Sequence, residues 1–136
     1  IGNRACYSPA DDVIKMPKQE AFDAPEHYYG TLFHEGVHST GHEKRLARKG
    51  ITDLDKFGSH QYADEELVAE MGAAMLCGIT GIDPITLDNS AAYIQTWLKR
   101  LKDDKKLVMM AGSRAQKAAD LILGITWEND DEKGGK

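Results

Sequence analysis

Apolar and polar residues alternate twice near the start of the chain, over residues 3–7 and 12–16, on either side of Ser8-Pro9-Ala10-Asp11. This period of two predicts a small β-hairpin, closed after its second strand by Pro17. The period then changes. Tyr29, Leu32, Phe33 and Val37 recur at helical spacing, after a capping-box pattern in which Asp23 caps and Glu26 follows three residues later. Gly41 is expected to end this helix as a left-handed terminator. Residues 43–62 read as a long connection, of a length that tends to be functional or to hold a short helix. A second helix is predicted from Glu65 to about Gly78, capped by Asp64. Its core positions are Leu67, Val68, Met71, Met75 and Leu76, and Gly72, Ala73 and Ala74 are small enough for close packing on the first helix. Asp88 should cap a third helix reaching about Leu101. A fourth covers 105–123, with Gly112-Ser113 as a candidate interruption and Gly124 as the stop. The pattern predicts an α+β fold, mostly helical with a small N-terminal β-hairpin, over residues 1–127. An acidic, flexible tail follows at 128–136.

Composition narrows this only slightly. The 136 residues are enough for one domain that buries about two-thirds of its unfolded surface. A net charge of −5 gives no global attraction to nucleic acid. Lys44, Arg45, Arg48 and Lys49 form a basic cluster, residues 99–106 hold another, and both read best as solvated faces. Cys6 and Cys77 read as free thiols, which suits a reducing, cytoplasmic setting. No apolar run approaches the length of a membrane span. The chain opens on Ile1 in strand-like sequence, so we expect a fragment whose N-terminal part is missing.

The chemistry lies in His34-Glu35-Gly36-Val37-His38, which reads H-E-x-x-H. On a helix, positions i and i+4 share a face, so both imidazoles can close on one metal ion. Glu35 is placed to take a proton from water there. The bland alternative is two core or solvated histidines on an amphipathic helix. A metzincin would need a third histidine at position 44, which here is Lys44, so His42 reads as a capping residue or one that supports a ligand from behind. Three carboxylates downstream are candidates for the third ligand: Glu65, Glu66 and Glu70. Glu65 also fits a plain helix N-terminal charge favoured by the macrodipole.

Glu66-Leu-Val-Ala69-Glu70 resembles the ligand motif of thermolysin-like gluzincins, and the E-x-x-A pattern of repressor-cleaving peptidases also lands on Glu66. The likeness implies Glu66 as third ligand, with Glu70 steadying an imidazole. A wider set of motifs runs in order from about residue 3 to residue 123. It includes Tyr7-Ser-Pro, Ile14-Lys-Met-Pro17, Tyr28-Tyr29-x-Thr31-Leu32-x-His34-Glu35 and Thr40-Gly-His42. Arg45-Leu-x-Arg48, Phe57-Gly58, Tyr62-Ala63-x-Glu-Glu-Leu, Asp88-Asn89-x-Ala-Ala-Tyr-Ile and Trp97-Leu-Lys continue it. Together these resemble the C-terminal zincin-like metallopeptidase domain of ArdC-type antirestriction proteins of conjugative plasmids and their primase-fused relatives.

The resemblance implies a zinc-dependent peptidase that helps protect transferred DNA from restriction, preceded by a single-stranded-DNA-binding domain. Zinc held by His34, His38 and Glu66 would lower the pKa of a bound water to about 7, with Glu35 as general base. Tyr62, His60 or Tyr93 would supply the donor an oxyanion needs. The expected partner is a protein or peptide substrate, which an edge of the small sheet could hold in extended form. Nucleic acid would be bound only weakly here, and no membrane is involved. The competing reading is a binding module with a structural metal, blocking restriction enzymes or touching DNA through Arg45, Arg48 and the 99–106 cluster. Glu35 speaks against it, since a structural site needs no base. Gly36 departs from the family pattern, where a larger apolar residue is usual, and is expected to leave space near the metal.

Overall fold

The computed structural model describes residues 4–53, 60–82, 95, 98–99 and 102–126, with only the backbone of 60–62. Strands β1 (Cys6–Ser8) and β2 (Val13–Lys15) pair antiparallel, in the register Cys6↔Lys15, Tyr7↔Ile14, Ser8↔Val13. The turn between them is fixed by short polar side chains. Ser8 Oγ donates to Asp11 Oδ2 at 3.1 Å, and Asp12 takes the left-handed region at φ 54°, a conformation Asp tolerates better than most residues.

Helix α1 runs from Pro25 to Thr40. Asp23 does not cap it: Ala24 holds the cap position without a side-chain bond, and Pro25 opens the first turn. Proline suits that place because its missing N–H would have had no helical partner. Gly41 is right-handed (φ −81°, ψ −2°), not the left-handed terminator expected. It is glycine for a steric reason. A Cβ there would lie 2.7 Å from Ile51 Cγ1 and 2.9 Å from Arg48 Nη2.

The long connection holds a short helix, α2 (Lys49–Thr52), whose Ile51 is buried. Helix α3 spans His60–Thr80. It begins four residues before Asp64, which therefore lies inside it and is not its cap, and it outruns Gly78 by two residues. Helix α4 (Lys105–Leu123) passes through Gly112-Ser113 without interruption. Asp104 caps it by accepting from the N–H groups of Lys106 and Leu107 at 3.1 and 3.2 Å, and Gly124 ends it in the left-handed region at φ 69°. The helix predicted over 88–101, apart from single positions, and the tail at 128–136 lie outside the described residues.

The core sits where α1, α3 and α4 meet. Val37, Leu67, Val68 and Leu76 pack with an alanine stripe on α4 formed by Ala111, Ala115, Ala118 and Ala119. These small residues let α4 approach α3 closely. Gly72 does the same for α1, since a Cβ there would stand 2.8 Å from Val37 Cγ2. The crossing sets the last two turns of α1 against the start of α3. Cys6 is exposed and Cys77 buried, both as free thiols. Among the described residues no helix is long and apolar enough to cross a membrane.

Candidate metal centre

His34 and His38 leave the same face of α1, one turn apart, with ring centroids 4.7 Å from each other. Their Nε2 atoms are 3.1 Å apart. From α3, the Glu66 carboxylate reaches both: Oε1 is 3.0 Å from His38 Nε2 and Oε2 is 3.4 Å from His34 Nε2. Tetrahedral coordination at zinc's usual bond lengths separates neighbouring ligand atoms by about 3.3–3.4 Å. The spacings within this triangle of His34, His38 and Glu66 are close to those around a four-coordinate ion, and a donor set of two imidazole nitrogens and one carboxylate suits zinc.

The far nitrogen of each ring also has a carboxylate. His34 Nδ1 lies 3.1 Å from Glu70 Oε1, and His38 Nδ1 lies 2.7 Å from Glu65 Oε2. A proton on Nδ1 directed at a carboxylate leaves the Nε2 lone pair free to face the shared centre. The electrostatics follow from these contacts. Burial works against charge on His34, but hydrogen bonds to Glu66 and Glu70 override it and lift the imidazole to about 10. Burial opposes charge on His38 too, and there Glu65 and Glu66 prevail, raising its pKa. Burial would raise the Glu66 carboxyl, yet the two imidazoles hold it far below the usual carboxylate range.

What the sequence does not foretell of Glu65, named there as a candidate ligand or a helix-end charge, is its buried partner Arg48. Glu65 is not a solvated helix-end charge but is buried at 4% exposure, with Arg48 beside it at 8%. Arg48 Nε donates to Glu65 Oε1 at 2.6 Å and Nη2 to Oε2 at 3.2 Å. The signal was present in the pattern: Glu65, Val68, Ala69, Gly72 and Leu76 form one helical stripe. An acid on a core stripe requires a buried cation. Arg48 is that cation, and its place in the solvated basic cluster is corrected accordingly.

Glu35 is half-buried and makes no hydrogen bond or ion pair among the described residues. His42 Nδ1 accepts from the Lys44 N–H at 3.1 Å and so caps the turn after α1. The side chains of His60 and Tyr62, and all of Tyr93, lie outside the described residues. Gly36 faces Ile122, whose Cδ1 would be 3.8 Å from a Cβ, an ordinary contact. The space expected near the metal is therefore not its role.

The fold and this three-residue cluster define a zincin-like domain. The chain belongs to the zincin-like metallopeptidase family MPTase-PolyVal, whose model matches residues 1–114. It is 39% identical over 127 residues to the DNA primase TraC of Escherichia coli, covering 91% of this chain and 8% of that protein. It is 37% identical over 120 residues to the uncharacterized protein y4eC of Sinorhizobium fredii (strain NBRC 101917 / NGR234), covering 88% and 38%. Two crystal structures of the antirestriction protein ArdC from plasmid R388 superpose well. The Mn(II)-bound form gives a TM-score of 0.73 at 47% identity, covering 90% of this chain and 44% of that one. The metal-free form gives 0.71 at 48%, covering 88% and 42%. The likeness to ArdC-type proteins implied by the motifs thus holds, and the chain spans less than half the length of each of these relatives.

Proposed function

We propose that this domain is a zinc-dependent peptidase within an ArdC-like antirestriction protein, with His34, His38 and Glu66 as metal ligands and Glu35 as general base. One observation carries the reading: His34 Nε2 and His38 Nε2 lie 3.1 Å apart, the two Glu66 oxygens lie 3.0 Å from His38 Nε2 and 3.4 Å from His34 Nε2, and a second carboxylate stands behind each imidazole. The Mn(II)-bound form of R388 ArdC supports divalent-metal binding at such a fold, and the nitrogen-rich donor set favours zinc here. When bound, the ion supplies Lewis acidity that polarises a carbonyl and acidifies water.

The chain supplies the rest. Glu35 takes the proton of the attacking water and returns it to the leaving amine. Glu70 and Glu65 hold the imidazoles in orientation. Tyr62, His60 and Tyr93 are our candidates for the oxyanion donor, and the substrate is a protein or peptide. Glu35→Gln should retain zinc and fold while lowering turnover by about 10²–10⁴-fold, because an amide cannot accept the proton. Zinc content by atomic emission is measured beside antirestriction activity of the full-length protein. Unchanged activity with zinc still bound would replace the peptidase with a non-catalytic, metal-stabilised binding module.

A further inference from the structure

Behind His38 the polar contacts do not stop at the carboxylate. Glu65 passes them to Arg48, which belongs to neither of the helices carrying ligands. Arg48 then turns back to α1, donating from Nη1 to Thr40 Oγ1 at 2.8 Å and from Nη2 to the Val37 carbonyl at 2.6 Å. Val37 directly precedes His38. The bonds thus form a closed circuit from α1 through His38, Glu65 and Arg48 to α1 again, and every member is buried. His34 has nothing comparable: its partner Glu70 has a side chain 52% exposed and meets no cation among the described residues.

We propose that Arg48 and Glu65 are a positioning pair that fixes His38 with Nε2 toward the ligand triangle, so that the centre is assembled before a metal arrives. The proposal rests on reading His34, His38 and Glu66 as metal ligands. Its physical basis is the geometry of the guanidinium. A planar fork donating twice to one carboxylate fixes that carboxylate's plane, and a lysine would offer only a point charge. The two remaining contacts tie the fork to the helix that carries the histidine. Glu65 is thereby held 2.7 Å from Nδ1, and an imidazole donating from Nδ1 presents Nε2 as a lone pair. The approach of Arg48 depends on Gly41, where a Cβ would press on Nη2. The chain reversal delivering Arg48 holds Ala47 in the left-handed region at φ 50°.

The test compares the purified parent with Glu65→Gln, Glu65→Leu, Arg48→Met and the double variant Arg48→Met/Glu65→Leu. Zinc affinity is read by competition with a chromophoric chelator. The melting midpoint of the metal-free form and the His38 Nδ1 proton signal of the zinc-loaded form are recorded alongside. Zinc affinity should fall by about 10–100-fold in Glu65→Leu and in Arg48→Met, and less in Glu65→Gln, which keeps an acceptor for Nδ1–H. The double variant buries no lone charge, so it should regain the melting midpoint lost in Arg48→Met while keeping the affinity deficit. The Nδ1 proton signal should vanish in Glu65→Leu. Parent-like affinity in Glu65→Gln and in folded Glu65→Leu, or affinity recovering in step with the midpoint, would overturn the proposal and leave the pair as mere structure. His34→Ala separates the two levels. If it too keeps full zinc affinity, the metal reading itself fails; if it alone loses zinc, only the positioning role does.

Discussion

Arg45 and Arg48 stand three residues apart in one basic run, and each ends on a carboxylate, yet the two pairs belong to different physical regimes. Arg45 grips Asp12 in the hairpin and donates from Nε to the Ser39 carbonyl at 2.8 Å. Both side chains of that pair are 33% exposed. In the Arg48–Glu65 pair the corresponding values are 7% and 3%. Water solvates and screens the first pair and is excluded from the second. The first joins the hairpin to the end of α1, while the second stands behind His38 in the cluster with His34 and Glu66. One residue type, with one kind of partner, thus performs a peripheral clamp and a central brace.

The largest expected effect breaks the buried pair. Arg48→Met leaves Glu65 in the interior without its cation, and stability should fall by about 3–5 kcal/mol. Chemical denaturation of the metal-free protein measures this, and the loss should persist in molar salt. Arg45→Met should shift the same midpoint far less, and salt should erase most of that shift. Equal losses from the two substitutions would abolish the distinction.

The distinction was only partly legible in the sequence. H-E-x-x-H at helical spacing locates His34, Glu35 and His38 on α1 from local periodicity alone, and the hairpin and the stop at Gly124 are equally local signals. The order of motifs identified the family. What escaped were relations between distant segments. Arg48 looks like its neighbours Arg45 and Lys49 until the chain reversal at Ala47 carries it back over α1. Glu65 looks like a helix-end charge because Asp64 resembles a cap, whereas α3 actually begins a turn earlier and turns Glu65 inward. Gly41 ends the helix where a glycine is expected, but for a steric reason: its missing Cβ makes room for a side chain that arrives from seven residues on.

A middle-sized effect sharpens the comparison from the steric side. In Gly41→Ala the new methyl would meet Ile51 at 2.7 Å and Arg48 at 2.9 Å. The guanidinium is pinned by four hydrogen bonds, so it cannot move aside without breaking some of them. Overpacking of this kind costs about 1–3 kcal/mol. The exposed Arg45–Asp12 pair should be untouched. If Gly41→Ala is neutral in thermal melts, Arg48 is not held as tightly as these contacts imply.

The smallest effect belongs to the exposed pair and is read by pH. The hydrogen bond from Arg45, followed by that from Tyr7, holds the Asp12 carboxyl at about 2, below its ordinary 3.8. Folding therefore favours the ionised form. The sign is that of a depressed acid: its contribution is complete above the unfolded value near 3.8 and is lost as pH falls through about 2. Asp12→Asn removes the charge at every pH. Parent and variant should differ slightly in melting midpoint at pH 6, and the gap should close progressively between about pH 4 and pH 2. A gap between parent and Asp12→Asn that stays constant down to pH 2 would show that the Asp12 charge contributes nothing, leaving the hairpin attached through its remaining contacts.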